Sequence, residues 1–226
     1  GARETWFFQS EKKEKFMTFA TRLDDGIAAM GLALPEETQL RLLQYLALLG
    51  KWNRVHNLTS VREPEAMLIR HLFDSLAVLP YIAGPHIADI GSGAGLPGIP
   101  LALARPDWQV RLLESNHKKT VFLQQACIEL SLKNVEVLTE RAEDFRLMDG
   151  FDTVISRAFS DLADFIKLAG HLCAGNMGGR LVAMKGIYPH EELTQIPARF
   201  IVEKVLSVAV PGLEAERHLV IIKHTS

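Results

Sequence analysis

The chain has 226 residues, 48% of them hydrophobic and 23% charged, with a formal net charge of −2 at pH 7. This length accommodates one α/β domain with an added segment but not two full domains. The small net charge excludes a protein that coats nucleic acid by bulk electrostatic attraction. Because the sequence contains neither a run of 18 apolar residues nor a signal-peptide pattern, we expect a cytoplasmic protein with no membrane partner.

The first 84 residues are predicted to be mostly helical. Residues 1–16 show no clear periodicity, and we predict that they are a leader or an added extension that is disordered. Apolar residues then recur at helical spacing, which predicts helices over 17–30, 35–55 and 65–82. Because helices of this size need a larger body to pack on, we predict that residues 17–84 form a helical cap on residues 85–226.

From residue 85 onward, predicted strands and helices alternate. The predicted strands are 87–90, 110–113, 135–138, 152–156 and 180–184, with helices near 97–105, 118–131 and 161–172. This alternation predicts a mostly parallel sheet with helices on both faces. The last two strand-like segments, 200–210 and 218–223, are joined by a link too short for a crossover helix. We therefore expect a C-terminal antiparallel hairpin and seven strands in all.

A glycine-rich loop follows the first predicted strand. Gly91, Gly93, Gly95 and Gly98 stand within eight positions, and glycine at this density permits sharp turns and close approach of a ligand to the backbone. Residues 93–98 fit the dinucleotide pattern G-x-G-x-x-G, and an acid, Glu114, ends the next strand. An NAD-dependent oxidoreductase is therefore one candidate function.

Two features favour a different nucleotide. Asp89 extends the pattern to Asp-x-Gly-x-Gly-x-Gly, and its carboxylate would repel a pyrophosphate but attract a cationic ligand. A terminal hairpin also stands where a dehydrogenase would add another strand and helix. Together these features resemble the S-adenosylmethionine-dependent methyltransferases of the seven-strand, Rossmann-like class I. The resemblance implies S-adenosyl-L-methionine as cofactor, with Glu114 on its ribose hydroxyls and Ala142 and Glu143 beside its adenine.

The residues after the fourth predicted strand limit the methyl acceptor. The Asp/Asn-Pro-Pro-aromatic loop that commonly accompanies amine methylation is absent, since residues 156–159 are Ser-Arg-Ala-Phe. Methylation of pyrimidine C5 needs a cysteine at a strand end, and neither Cys127 nor Cys173 is placed there. We expect both to be free thiols. Guanine N7 needs neither a nucleophile nor a base, because its lone pair is free at neutral pH. Chemistry alone permits other acceptors.

Six motifs occur in an order that resembles one family. They are WNRVHNLTS at 52–60, RHLFDS at 70–75, DIGSGAGLPGIP at 89–100, ISRAF at 155–159, KG at 185–186 and ERHL at 216–219. The family is the bacterial small-subunit ribosomal RNA guanine-N7 methyltransferase, also called glucose-inhibited division protein B. The resemblance runs from about Met17 to the C-terminus. It implies direct methylation of N7 of one guanine in 16S ribosomal RNA near the decoding site, without a metal or a covalent intermediate.

The resemblance also implies a set of site residues. The cofactor-binding set is Asp89, Gly91, Ser92, Gly93, Gly95, Leu96, Glu114, Ala142, Glu143 and Arg157. We predict as catalytic Arg157, Lys185 and Arg217, which lie at strand ends or at the hairpin turn, and we expect Arg157 and Glu143 to line one pocket with Gly91. The RNA-binding set is Lys51, Arg54, Arg70, Lys118 and Lys119, whose charges can face phosphates.

The partner implied by the resemblance is 16S ribosomal RNA or the small ribosomal subunit, and we expect the protein itself to be a monomer. The eight histidines show no zinc-ligand spacing, so we predict no metal site. His71 lies three residues before Asp74 on one helix face, which favours a structural hydrogen bond there. A non-catalytic protein that binds S-adenosylmethionine or RNA is an alternative that the sequence leaves open.

Overall fold

The structure is a computed structural model that describes residues 2–174 and 178–225. Its helices are α1 (Ala2–Ala29), α2 (Glu36–His56), α3 (Pro64–Met67), α4 (Asp74–Leu76), α5 (Gly98–Ala104), α6 (His117–Glu129) and α7 (Leu162–Ala169). Its strands are β1 (His86–Ile90), β2 (Gln109–Leu113), β3 (Val135–Leu138), β4 (Thr153–Ser156), β5 (Arg180–Lys185), β6 (Phe200–Ser207) and β7 (His218–His224). A π-helical turn (Leu68–Phe73) joins α3 to α4, and short 3₁₀ turns lie at Leu79–Tyr81, Gly170–Leu172 and Glu192–Gln195.

The seven strands form one sheet in the order β3-β2-β1-β4-β5-β7-β6. The first five strands of this order are parallel, and β7 runs antiparallel to both β5 and β6. The predicted seven-strand α/β fold with a C-terminal antiparallel hairpin is therefore confirmed. The strand order reverses between β1 and β4, and ligands of open α/β sheets bind outside the carboxyl ends of the strands at such a point.

Apolar side chains cover both faces of the sheet because neighbouring residues of a strand point to opposite sides. In β1, Ile87 belongs to one apolar cluster and Ala88 to the other. The larger cluster also contains Leu42 of α2 and Phe122 of α6, whereas the smaller one contains Phe165 of α7. The N-terminal helices therefore share a core with one face of the sheet. No helix among residues 2–174 and 178–225 is long and apolar enough to cross a membrane.

The first helix begins earlier than the sequence pattern predicts. We expected a disordered leader over residues 1–16, but α1 begins at Ala2 and continues to Ala29; residue 1 lies outside the described residues. Residues 11–18 of α1 are exposed. An exposed helix needs no apolar stripe, which is why periodicity did not reveal this one. The division of the chain at residues 17 and 85 stays a prediction.

The predicted helix over 65–82 is divided in the structure. The π-helical turn interrupts it at Leu68–Phe73, and α4 ends at Leu76. The Asp74 N–H bonds to the carbonyl oxygens of Ile69 and His71, whereas a regular α-helix would direct it to Arg70. Single π turns inside helices occur frequently at functional sites. This turn faces the edge of the sheet where the candidate site lies.

Candidate functional site

The loop between β1 and α5 is a tight turn with an open backbone. Gly91, Gly93 and Gly95 have φ values of 64°, 57° and 92°, a region that residues with a side chain rarely adopt. The Gly91 N–H donates to the Leu113 carbonyl oxygen at 2.9 Å, which ties the loop to the end of β2. A Cβ built at Gly93 would meet, within 4 Å in the described residues, the Gly91 carbonyl oxygen alone, at 3.9 Å. A ligand can therefore approach the backbone at Gly93.

Two buried polar oxygen atoms at this loop could each form a further hydrogen bond. Asp89 is fully buried, and its Oδ2 accepts the Gly98 N–H at 2.8 Å. Its Oδ1 and the Ser92 Oγ are buried without a hydrogen-bond partner in the part of the chain that the structure describes. Burial raises the pKa of Asp89 well above its ordinary value, although the Gly98 N–H and the charge of Arg157 act in the opposite direction. A cationic ligand beside Oδ1 would lower this pKa and remove the cost of the buried charge.

Glu114 links the glycine loop to the end of β2. The side chain is 9% exposed; its Oε1 accepts the Gly93 N–H at 3.2 Å, and its Oε2 accepts the Asn116 N–H at 3.3 Å. Beyond β3, Ala142 is buried and Glu143 is half-exposed beside Arg141, with 3.7 Å between Glu143 Oε1 and Arg141 Nη1. The strand order places these acids in a row with the glycine loop along the carboxyl edge of the sheet.

A cavity of about 400 Å³ opens at the same edge on the other side of the glycine loop. We call it the arginine cavity. Its lining residues are Thr59, Ser60, Val61, Arg70, His71, Asp74, Arg157, Met184, Lys185, Gly186 and Arg217. All three residues predicted as catalytic line it, together with Arg70 from the predicted RNA-binding set. The lining of this cavity does not include Glu143 or Gly91, so the pocket that we expected these two to share with Arg157 stays a prediction.

A buried carboxylate connects two of the arginines. Asp74 is 5% exposed; its Oδ1 accepts from Arg217 Nε at 3.0 Å, and its Oδ2 lies 3.4 Å from Arg157 Nη1. Arg157 Nη1 also donates to the Arg70 carbonyl oxygen at 3.1 Å. The side chains of Arg157 and Arg217 each remain 28% exposed. Both guanidinium groups are thus fixed on one side and open to a ligand on the other.

His71 is a neutral member of the same group. Burial, followed by repulsion from Arg157, lowers the pKa of His71 from 6.5 to about 4. Its Nδ1 lies 3.5 Å from Arg157 Nη2, and its Nε2 lies 3.0 Å from Thr59 Oγ1. The structural hydrogen bond predicted for His71 is confirmed, with Thr59 as its partner, and the other ring nitrogen contacts Arg157. His71 therefore supports Arg157 without adding charge.

Lys185 reaches the arginine cavity but is engaged inside the protein. Its side chain is 10% exposed, and its Nζ lies 2.8 Å from Glu192 Oε1. The same Nζ donates to the Ser160 carbonyl oxygen at 2.9 Å. This ion pair neutralises the lysine and ties the loop after β4 to the end of β5. Arg157 and Arg217 are consequently better placed than Lys185 to contact a ligand.

The predicted RNA-binding residues do not converge on one place. Arg70 lines the arginine cavity, whereas Lys51 and Arg54 are exposed on α2. In the first turn of α6, Lys118 is exposed and Lys119 is half-buried. The two helices touch where Trp52 packs on Phe122, with ring centroids 5.7 Å apart. Lys51 and the α6 lysines thus lie on neighbouring helices rather than in the cavity.

Sequence patterns did not reveal Asp74 and Tyr45 as parts of the site. The fully buried Tyr45 of α2 donates its hydroxyl to the Ala94 carbonyl oxygen at 2.6 Å, so the cap also supports the glycine loop. The sequence signal for Tyr45 was weak: it is a tyrosine, with a polar hydroxyl, among the leucines of α2. Asp74 stood in a motif, but its partners are 83 and 143 residues away in the sequence.

The two cysteines are not suited to nucleophilic chemistry, and no metal-binding cluster is found among the described residues. Burial raises the pKa of Cys127 to about 11 and of Cys173 to about 12, so both are protonated thiols at neutral pH. A nucleophilic cysteine needs the opposite shift. Within residues 2–174 and 178–225, no group of three or more His, Cys, Asp or Glu side chains is arranged to hold a metal ion.

The family model that matches this chain and the most similar relatives that we found carry the same description. The family GidB, described as rRNA small subunit methyltransferase G, matches residues 38–220. A protein of Nitrosospira multiformis named ribosomal RNA small subunit methyltransferase G is 68% identical over 212 residues, which cover 92% of this chain and 98% of that protein.

Solved structures share the fold at low identity. TrmN from Thermus thermophilus matches with a TM-score of 0.54 and 18% identity, over 67% of this chain and 48% of that one. M. jannaschii TYW2 in complex with AdoMet matches with a TM-score of 0.50 and 17% identity, over 65% and 73%. At these identities the likeness shows the fold alone, and it confirms the Rossmann-like class predicted from the sequence.

Proposed function

Because the chain belongs to the family described as rRNA small subunit methyltransferase G, we propose that it methylates N7 of one specific guanine in 16S ribosomal RNA. The donor is S-adenosyl-L-methionine, and the transfer is direct, with neither a metal ion nor a covalent intermediate. Family membership confirms the resemblance drawn from the six sequence motifs. The observation that carries the proposal is the arrangement of an open glycine loop beside a cavity that contains three arginines.

The residues at the glycine loop fit S-adenosylmethionine. The unpartnered Oδ1 of Asp89 and Oγ of Ser92 offer hydrogen-bond acceptors to its ammonium group, and the open backbone at Gly93 leaves room for its close approach. Glu114 can accept from both ribose hydroxyls, since a carboxylate has more acceptor sites than its two present contacts use. We assign Ala142 and Glu143, past the end of β3, to the adenine. Bound there, S-adenosylmethionine supplies a methyl group activated by a positively charged sulfur.

The arginine cavity fits the RNA side of the reaction. Guanidinium groups bind phosphate oxygens through paired N–H donors, and the cavity presents Arg70, Arg157 and Arg217. Specific RNA recognition usually targets unpaired nucleotides whose bases can leave the stack, which suits a cavity of about 400 Å³. We assign the nucleotide that carries the acceptor guanine to this cavity.

The chain contributes alignment rather than proton transfer. The N7 lone pair is free at neutral pH, so the site needs no general base, and the protonated Cys127 and Cys173 are not required as nucleophiles. Holding two reactants in a reactive geometry accounts for a large share of catalysis in such a reaction. In this account the Gly91–Gly95 backbone fixes one reactant and the arginines fix the other.

Methyl transfer to ribosomal particles tests the proposal. Small subunits from cells that lack this protein are incubated with the chain and S-adenosylmethionine labelled in its methyl group, and the modified base is then mapped. We expect label at N7 of a single guanine of 16S RNA. Absence of label, with cofactor binding shown separately by calorimetry, would favour the non-catalytic alternative. A fluorescence change with NADH and none with S-adenosylmethionine would revive the oxidoreductase alternative, which family membership does not favour.

Two further assignments follow from the proposed substrate. Bacterial ribosomal subunits are in the cytoplasm, so we place the protein there. The partner is the small subunit or its 16S RNA, and we expect the protein to bind it as a monomer. Light scattering of the purified chain, alone and with 16S RNA, measures both masses directly.

A further inference from the structure

The cap supplies the arginine cavity with hydrogen-bond acceptors. The π-helical turn (Leu68–Phe73) leaves the Arg70 carbonyl oxygen to accept from Arg157, because the Asp74 N–H bonds to Ile69 and His71 instead. One turn later Asp74 accepts from Arg217 and pairs with Arg157. The loops after β4 and before β7 thus meet on one carboxylate that belongs to neither loop.

Positive charges outnumber negative charges in the arginine cavity. Lys185 is paired with Glu192, so the arginine cavity contains three remaining cationic side chains, Arg70, Arg157 and Arg217, against the single carboxylate of Asp74. Asp74 uses one donor of Arg217 and one of Arg157, and a guanidinium group has five. Both arginines therefore keep free donors, and their side chains are 28% exposed.

We propose that Asp74 is a positioning residue, which fixes Arg157 and Arg217 so that their free N–H donors bind one phosphate of the RNA beside the acceptor guanine. The proposal rests on the proposed function, since it names the part of the substrate that these arginines bind. Two guanidinium groups fixed by one carboxylate hold a bound phosphate in one position, so that the neighbouring guanine stays aligned with the methyl donor.

A positioning role and a purely structural ion pair predict different results. Removal of the Asp74 charge leaves the cavity more positive but leaves both arginines unfixed. RNA binding should then become tighter and more dependent on salt, while methyl transfer becomes slower. A structural ion pair would change the thermal stability and leave the catalytic rate of the folded protein unaltered.

The test compares Asp74→Asn with Asp107→Asn. Asp107 pairs with Arg105 on the surface, so its variant has the same change in net charge away from the cavity. For Asp74→Asn we expect kcat to fall about 100-fold, the cost typical of a misplaced reactant. The slope of log affinity for 16S RNA against log salt should steepen by about 0.7, the value for one phosphate contact on a single strand. The affinity for S-adenosylmethionine should not change.

Rescue separates geometry from charge. Asp74→Glu retains the carboxylate, and we expect it to recover part of the lost kcat, with RNA binding near that of the wild type. If Asp74→Asn does not fold, the triple variant Asp74→Asn/Arg157→Gln/Arg217→Gln removes the carboxylate together with both of its arginine partners. It should be no slower than Arg157→Gln/Arg217→Gln if Asp74 acts through these two arginines. A triple variant much slower than that double variant would overturn the proposal, as would an Asp74→Asn kcat equal to that of Asp107→Asn.

A spectroscopic measurement distinguishes failure of this inference from failure of the proposed function. The arginine Nε–H signals of Arg157 and Arg217 are followed by NMR in the wild type and in Asp74→Asn, with an oligonucleotide from 16S RNA as the probe. We expect two sharp signals that shift with RNA in the wild type and broaden in the variant. Shifts without methyl transfer to any RNA would contradict the proposed function alone. Signals that are identical in both proteins would contradict the role of Asp74.

Discussion

The carboxyl ends of β1, β2 and β3 differ from the carboxyl ends of β4 and β5 and the amino end of β7 in the groups that they present at the same edge of the sheet. The first half presents backbone amides, two acids and buried oxygens with unused capacity, all within short stretches of sequence. The second half presents arginines that are fixed by the cap, through contacts that span 83 and 143 residues of sequence. The proposed cofactor half is thus formed mainly by residues near one another in the sequence, although Tyr45 of the cap also bonds to the Ala94 carbonyl oxygen, whereas the proposed acceptor half depends on the assembled fold.

This difference predicts that substitutions in one half will leave the ligand of the other half unaffected. The largest effect is expected for Gly98→Ala. The new Cβ would lie 2.3 Å from Leu112 Cδ2 and 2.7 Å from Asp89 Oδ2, so the buried carboxylate must shift. We expect S-adenosylmethionine affinity to fall by about 100-fold or more and stability to fall by about 1–3 kcal/mol. Calorimetric titration and thermal unfolding measure the two quantities.

The matched control for this prediction is Gly50→Ala, in the middle of α2. A Cβ there meets nothing within 4 Å in the described residues, and alanine is the better helix former. We expect an unchanged cofactor affinity and a gain of roughly 0.5–1 kcal/mol in stability. Equal losses of cofactor affinity in both variants would mean that the close packing of Gly98 on Asp89 is not needed for cofactor binding.

The next effect in size is expected for Glu114→Gln. The substitution keeps the shape of the side chain but removes the charge that strengthens its hydrogen bonds, which is worth about 1.5–3 kcal/mol at a charged group. We expect the dissociation constant for S-adenosylmethionine to rise about 10- to 100-fold, while RNA affinity stays constant. Glu136→Gln on β3, which breaks an ion pair with Arg111 of β2, is the control. Weaker RNA binding by Glu114→Gln would contradict the separation of the two halves.

Arg217→Gln should show the opposite selectivity with a smaller effect. It removes one proposed phosphate contact, so we expect the salt slope of RNA binding to decrease by about 0.7 and KM for the RNA to rise roughly tenfold. The affinity for S-adenosylmethionine should equal that of the wild type in the same titration. Arg105→Gln, on the surface beside Asp107, controls for the lost charge. The prediction fails if Arg217→Gln binds the cofactor poorly and the RNA normally.

The smallest effect at neutral pH is expected for His71→Gln. This variant should differ from the wild type in how its stability changes as the pH falls. The pKa of His71 is lowered to about 4, so between pH 6.5 and 4 the unfolded chain takes up a proton that the folded protein does not. The wild type should therefore lose stability as the pH falls through this range, by up to about 3 kcal/mol from this group. His71→Gln should lack this part of the slope. Denaturant unfolding at pH 7, 5.5 and 4.5 compares the two, and parallel curves would show that His71 is not buried neutral.

The same contrast explains which features could be predicted from sequence. The seven strands, the glycine loop and Glu114 could be predicted from local patterns. The hydrophobic period, the density of glycines and the ends of apolar runs are all visible in short stretches of the sequence. Asp74 could be placed on a helix but not beside Arg157 and Arg217, since no local pattern encodes those distances. Helix α1 could not be predicted before residue 17, since residues 11–18 are exposed and an exposed helical segment needs no apolar stripe.

Hydrogen exchange measured by mass spectrometry tests the separation of the two halves most directly. The wild-type chain is examined alone, with S-adenosylmethionine, and with 16S RNA. We expect the cofactor to protect the amides of 91–96 and 114–116, and the RNA to protect 68–75, 157–160 and 186–188. Protection of 68–75 by the cofactor alone, or of 91–96 by the RNA alone, would contradict the account.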